Sequence, residues 1–191
     1  MSKIDLDRLD VMLDIETWGT GTDAAVRAVA LAVFKPWTGE VLASQVWDWR
    51  GLTDCQLELG RTVDAGTVRW WRTLPGAGLG EKLHGNDAPC RVDAPNTLED
   101  AVEQLDGFLL GFNPVAYWSR GRFDYPILAS LYAEMDTTAP WQYWQLRDVR
   151  TLDDLAHRSK PYCPHHPLSD CLAQVEQVRA ALALVTQQEA A

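Results

Sequence analysis

The sequence predicts an α/β domain built on a mixed β-sheet with flanking helices, and three observations carry that prediction. Residues 11–17, 26–34 and 40–49 are apolar runs of strand length. The turn residues Lys35-Pro36-Trp37-Thr38-Gly39 separate the second from the third, which makes an antiparallel hairpin. Beyond residue 96, apolar residues at helical spacing alternate with short strand-like runs. Strands first, then helices alternating with short strands, is the pattern of a mixed sheet covered by helices. With 191 residues, no internal repeat and no clear linker, one domain over 1–191 is expected.

The elements follow in order. Residues 1–10 mix charged and apolar residues and read as a short lead-in. In the first strand, Val11, Leu13 and Ile15 share one face, while Asp14 and Glu16 stand on the other. The loop Thr17-Trp18-Gly19-Thr20-Gly21-Thr22-Asp23 has no periodicity, and the hairpin over 26–49 completes a three-stranded unit. Residues 55–95 carry fewer signals: a helix over 64–74 bearing Trp70 and Trp71, a Gly-rich stop at 75–80 and a loop over 84–95. Asn96 and Glu99 are placed as N-cap and N3 of a capping box. Leu98, Ala101, Val102, Leu105, Phe108 and Leu109 then form a helical stripe. A short strand over 115–118 precedes Phe123-Asp124-Tyr125-Pro126, which opens a helix with proline in its first turn. Residues 146–151 read as a short strand or a helix entry. The last helix begins near Pro167, with Leu168, Leu172, Val175, Val178, Leu182 and Val185 as its apolar stripe.

Composition narrows the classes. A hydrophobic fraction of 47% supports a core, and no run is long enough to cross a membrane. Cys55, Cys90, Cys163 and Cys171 lack Cys-x-x-Cys spacing, so a disulfide framework is not indicated and a reducing, cytoplasmic location is expected. A net charge of −10 argues against a broad basic surface for nucleic acid, yet a site built from carboxylates turns electropositive once loaded with metal. Nine tryptophans serve as packing or as stacking surfaces.

Four groups of residues are chemically conspicuous, each with a bland counterpart. Asp14 and Glu16 have Cα atoms roughly 6.5–7 Å apart on an extended strand, a spacing that suits a divalent cation. A strand with its polar side in water has the same pattern. Asp124 reads as a helix cap or as a carboxylate set just past a strand end. Asp170 lies in the first turn of the last helix, where the dipole favours negative charge. His165, in Cys163-Pro164-His165-His166-Pro167, stands outside that helix, where two prolines limit helical continuation. A zinc site from Cys163, His165, His166 and Cys171 is the other arrangement, but its spacing matches no usual zinc pattern.

Taken together, Asp14-Ile15-Glu16-Thr17, Phe123-Asp124 and His165-His166-Pro167-Leu168-Ser169-Asp170 resemble, in order, the three motifs of the DEDDh branch of the DnaQ-like 3′–5′ exonucleases. Those enzymes have the ribonuclease H-like fold. Thr67-Val68-Arg69-Trp70-Trp71 and Arg147-Asp148-Val149-Arg150-Thr151 bring the chain near a small bacterial and phage group of stand-alone exonucleases and exoribonucleases. Ser119 stands where the second motif often carries asparagine.

The resemblance implies two Mg²⁺ or Mn²⁺ ions. One would rest on Asp14, Glu16 and Asp170, the other on Asp14 and Asp124, with His165 as general base. The substrate would be single-stranded DNA or RNA with a free 3′ end, released as 5′-nucleoside monophosphates. Glu16 and the backbone around Thr17 and Trp18 would meet the terminal 3′-hydroxyl and base, with Trp18 either stacking on that base or serving as core or lid. Arg120, Arg122, Arg147 and Arg150 are candidates for phosphate contacts or for salt bridges to the many acids, and Asp148 reads as structural. The reading from another class is a non-catalytic ribonuclease H-like module that binds nucleic acid within a larger complex.

Overall fold

The computed structural model describes residues 5–74, 92–121, 123–156 and 165–189. The first four residues of the lead-in, the stop at 75–80, most of the loop over 84–95, Cys90, Arg122 and Cys163 lie outside the described residues. Six strands form one sheet: β1 (Asp10–Thr17), β2 (Val26–Phe34), β3 (Val41–Asp48), β4 (Val92–Asp93), β5 (Ala116–Ser119) and β6 (Leu146–Asp148). Their order is β4-β3-β2-β1-β5-β6. β1, β2 and β3 are antiparallel neighbours, whereas β4 joins β3, and β5 and β6 follow β1, in parallel. This is the mixed sheet that the sequence predicts. The helices are α1 (Thr53–Glu58), α2 (Ala65–Thr73), α3 (Leu98–Leu110), α4 (Asp124–Glu134) and α5 (Pro167–Glu189).

The two faces of the sheet differ because β1 and β2 alternate two kinds of residue. Val11, Leu13 and Ile15 of β1 and Val29, Leu31 and Val33 of β2 enter a core with Leu98, Val102 and Leu105 of α3 and Ile127, Leu128 and Leu131 of α4. The opposite face carries Met12 and the short side chains Ala28, Ala30 and Ala32, against Leu168, Cys171, Val175 and Val178 of α5. A one-carbon side chain lets a helix approach the strands closely. The Cys171 thiol lies 3.7 Å from the Met12 carbonyl and 3.6 Å from that of Ala30. Asp14 and Glu16 fall on this α5 side, so their strand is covered on both faces rather than wet on one.

Several local expectations are corrected. The N-cap of α3 is Thr97, not Asn96; its hydroxyl accepts the Asp100 N–H at 3.1 Å from an extended backbone. Both residues can cap, and the backbone conformation chooses. β4 and α1 are elements that the sequence did not announce: two residues and six residues are too short to show a period. Val185, placed on the stripe of α5, is exposed, whereas Leu168, Val175 and Val178 are buried. Trp141 is a core residue, with its ring centroid 5.0 Å from that of Tyr125 and 5.6 Å from that of Tyr132. Among the described residues no helix is long and apolar enough to cross a membrane.

The entry to β2 is held by side chains. Gln56 of α1, fully buried, accepts the Val26 N–H at 2.7 Å and donates to the Val26 carbonyl at 2.9 Å, as a strand partner would. Buried Arg61 donates to the carbonyls of Ala24 and Ile127 and pairs with Glu134 of α4 at 2.9 Å. Replacing Gln56 by Leu leaves two buried backbone groups without partners. At about 1–3 kcal/mol each, we expect stability in urea to fall by about 2–6 kcal/mol; a loss below about 0.5 kcal/mol would show that the backbone finds other partners.

Candidate active site

The site lies at the C-terminal end of β1, where strand pairing changes on both sides. The β1–β5 ladder runs from Asp10↔Ala116 to Met12↔Trp118 and then stops. Beyond it the Ile15 N–H is donated to Oδ1 of Asp124 at 3.0 Å. Asp124 is therefore not the cap of α4; Phe123 occupies that position and offers no side-chain cap. The Ser119 hydroxyl lies close enough to the Asp124 carboxyl to oppose the effect of its burial. On the other side, Glu16 pairs with Ala28 and Thr17 with Val26, so Arg27 is an extra residue in a bulge.

Helix α5 supplies the next carboxylate. Asp170 is buried in its first turn, and one oxygen each from Asp14, Glu16 and Asp170 lie within 4.8 Å of one another. One turn later, the Gln174 amide donates to Oδ1 of Asp14 at 3.0 Å. Asp170 also accepts the backbone N–H of His165 at 3.0 Å. His165 is exposed, with a left-handed backbone (φ 64°), and precedes the helix as the sequence predicts.

Four acids in so small a volume repel. Burial, then the charges of Asp124, Glu16 and Asp170, push the Asp14 carboxyl well above its ordinary value. Glu16 is raised by burial and by Asp170, with Arg27 acting against the rise. Burial raises Asp124 from 3.8 to about 7 in spite of its hydrogen bonds. Against these acids Gln174 offers only a dipole, and Arg27 attracts Glu16 across the bulge. Clustered, dehydrated carboxylate oxygens are a donor set that suits a hard divalent cation, and these residues fit one.

Beside the acids opens a cavity of about 470 Å³, lined by Glu16, Thr17, Thr67, Trp70, Trp71 and Phe123 among others. Thr17 is on its wall. Trp18 is not among the lining residues: its indole N–H donates to the Thr53 hydroxyl at 3.1 Å. Trp71 donates to the Thr17 carbonyl at 2.9 Å, and the Arg27 guanidinium lies 4.1 Å from the Trp71 ring centroid and 5.4 Å from that of Trp18. Arg27 escaped the sequence reading because it sits inside an apolar strand run; its only signal there was being the one charge in VRAVALAVF.

The remaining candidates have hydrogen-bond and ion-pair partners other than the three clustered carboxylates. Arg120 pairs with Asp153 at 2.8 Å and bonds Gln177, and Arg150 pairs with Asp148 at 3.0 Å. Arg147 donates to the carbonyls of Trp144 and Leu146. Asp148 is structural: it accepts the Gly121 N–H and the Arg150 N–H, tying β6 to the loop before Asp124. Cys171 is sealed in the core, which removes it from any zinc site.

Comparison with known proteins agrees with this architecture. The family model described as the 3′-5′ exoribonuclease Rv2179c-like domain matches residues 9–182. An exodeoxyribonuclease of Enterobacteria phage T4 is 26% identical over 208 aligned positions, covering 91% of this chain and 88% of the phage protein. The solved structure of exonuclease I superposes with a TM-score of 0.60 at 10% identity, covering 95% of this chain and 44% of that one, and so shows a shared ribonuclease H-like fold. The chain belongs to the Rv2179c-like 3′–5′ exoribonuclease family.

The raised carboxyls carry a stability signature. A group with a raised folded pKa contributes stability below its unfolded value and loses it as pH rises through the folded one; for Asp124 that window runs from 3.8 to about 7. Metal-free protein is therefore expected to lose stability through Asp124 between about pH 4 and pH 7. Asp14→Asn should raise its melting temperature at pH 8 by several degrees, at about 2–4 °C per kcal/mol relieved. A lower melting temperature for Asp14→Asn at pH 8 would contradict the repulsion described.

Proposed function

We propose that this member of the family is a divalent-metal-dependent 3′–5′ exonuclease of the DEDDh type, which removes 5′-nucleoside monophosphates from the 3′ end of single-stranded DNA or RNA. The observation that carries the reading is the convergence of Asp14, Glu16 and Asp170 oxygens within 4.8 Å, beside a cavity sized for a nucleoside. Asp14, Glu16 and Asp170 would hold one Mg²⁺ or Mn²⁺, and Asp14 with Asp124 a second. Such ions, when bound, supply charge stabilisation to the entering and departing oxygens of a phosphodiester.

The rest is the work of the chain. His165, outside α5 and exposed to solvent, takes the proton of the attacking water, a task suited to an imidazole. Asp170 orients the backbone of His165 through its N–H. Thr17 and Phe123, on the wall of the cavity, meet the terminal nucleoside. Arg120 and Arg150 meet phosphates further along the strand, exchanging their present carboxylate partners for them. Family membership favours RNA as substrate, and the phage relative's name favours DNA.

The test is resection of matched 3′-exposed DNA and RNA oligonucleotides with Mn²⁺ or Mg²⁺. Wild type is expected to shorten at least one of them, Asp14→Ala to be inactive, and His165→Ala to lose roughly 10²–10⁴-fold in rate. A wild type inert on both polymers would sink the enzyme reading. If Mn²⁺ also fails to raise the melting temperature, the non-catalytic binding module takes its place.

A further inference from the structure

The Trp70–Trp71 pair of α2 belongs to none of the three acidic motifs, yet it touches the residue assigned as base. The His165 ring stands edge-on to Trp70, with centroids 4.8 Å apart and planes at 84°, and also to Trp71 at 6.4 Å and 89°. His165 needs such support. It is exposed, it lies outside α5, and its backbone is left-handed; Asp170 accepts its backbone N–H. Among the described residues, the ring's aromatic partners are these two tryptophans.

The pair is itself anchored. Trp70 and Trp71 meet edge to face at 4.8 Å. Trp71 is buried, bonded through its indole N–H to the Thr17 carbonyl, and covered by the Arg27 guanidinium at 4.1 Å. A line of contact therefore runs from a buried cation in the β2 bulge, through a fixed indole, to Trp70 and then to the imidazole. Edge-to-face rings favour a defined orientation, which a solvent-exposed histidine otherwise lacks.

We propose that Trp70 is a positioning residue for His165, and that Trp71, clamped between Arg27 and the Thr17 carbonyl, is its footing. This rests on the reading of His165 as general base. Because Trp70 also lines the cavity, a purely substrate-binding role is the alternative, and the two roles move different kinetic constants. Misplacing a catalytic group lowers kcat, whereas losing a wall of the cavity raises KM.

The experiment compares wild type, Trp70→Phe and Trp70→Ala on single-stranded DNA and RNA oligonucleotides with Mn²⁺, alongside NMR of the histidine ring protons without substrate. Trp70→Ala is expected to lower kcat roughly ten- to hundredfold with KM changed less than about threefold. Trp70→Phe, which keeps an edge-to-face ring, should retain most activity. The His165 ring protons, assigned with His165→Ala, should be shifted by the Trp70 ring current in wild type and should lose that shift in Trp70→Ala. A raised KM at unchanged kcat, or no change in either, overturns the proposal. Should Trp70→Ala fail to fold, the absence of a cross-relaxation contact between the His165 and Trp70 rings in wild type overturns it instead. Full activity of His165→Ala would remove the base reading by itself, a result separable from the ring contact.

Discussion

The close approach of α5 to the sheet is the constraint on which the rest depends. It is possible because β2 presents Ala28, Ala30 and Ala32 to the helix while its other face carries Val29, Leu31 and Val33. Larger side chains on the alanine face would lift α5 away from β1. Asp170 and Gln174 would then leave Asp14 and Glu16, although every acid would still be present in the chain. The site is thus a consequence of side-chain volume two strands deep in the core as much as of the acids themselves.

That packing imposes an electrostatic strain. The helix dehydrates carboxylates that it also crowds, and burial is the largest cause of the rise at Asp14, Glu16 and Asp124. Partial compensation comes from the Ile15 N–H, the Ser119 hydroxyl, the Gln174 amide and the charge of Arg27. Each of these is a fixed dipole or charge held by the fold. What they leave uncompensated is negative charge, and that repulsion weakens the folded chain at neutral pH.

The opposite side of the site is built by aromatic and cationic packing. Arg27 leaves the β1–β2 register at a bulge, and its guanidinium lies over Trp71 and near Glu16. A single buried arginine therefore connects an acid of the cluster to the tryptophan wall of the cavity. Gln56 and Arg61 hold the same end of β2 from outside, so the bulge is supported on several sides.

Period and order were legible in the sequence. The two-residue alternation of β1 separated Val11, Leu13 and Ile15 from Asp14 and Glu16, and the hairpin and the helical stripes of α3 and α4 followed from periodicity, because these patterns are local. Three spaced motifs, together with resemblance, marked Asp124, His165 and Asp170. The sequence was silent on what depends on distant partners. Thr97 rather than Asn96 caps α3, Asp124 reaches the Ile15 N–H instead of its own helix end, and Trp18 bonds Thr53 instead of facing the cavity. Each of these is a choice between two chemically competent residues or partners. The sequence by itself determined which side chains could bind metal and which face of each strand they share, since chemistry and backbone period are properties of neighbours. Only the tertiary structure decided that three acids and a tryptophan pair converge on one strand end, because that distance is set by how closely α5 and α2 pack against β1 and β2.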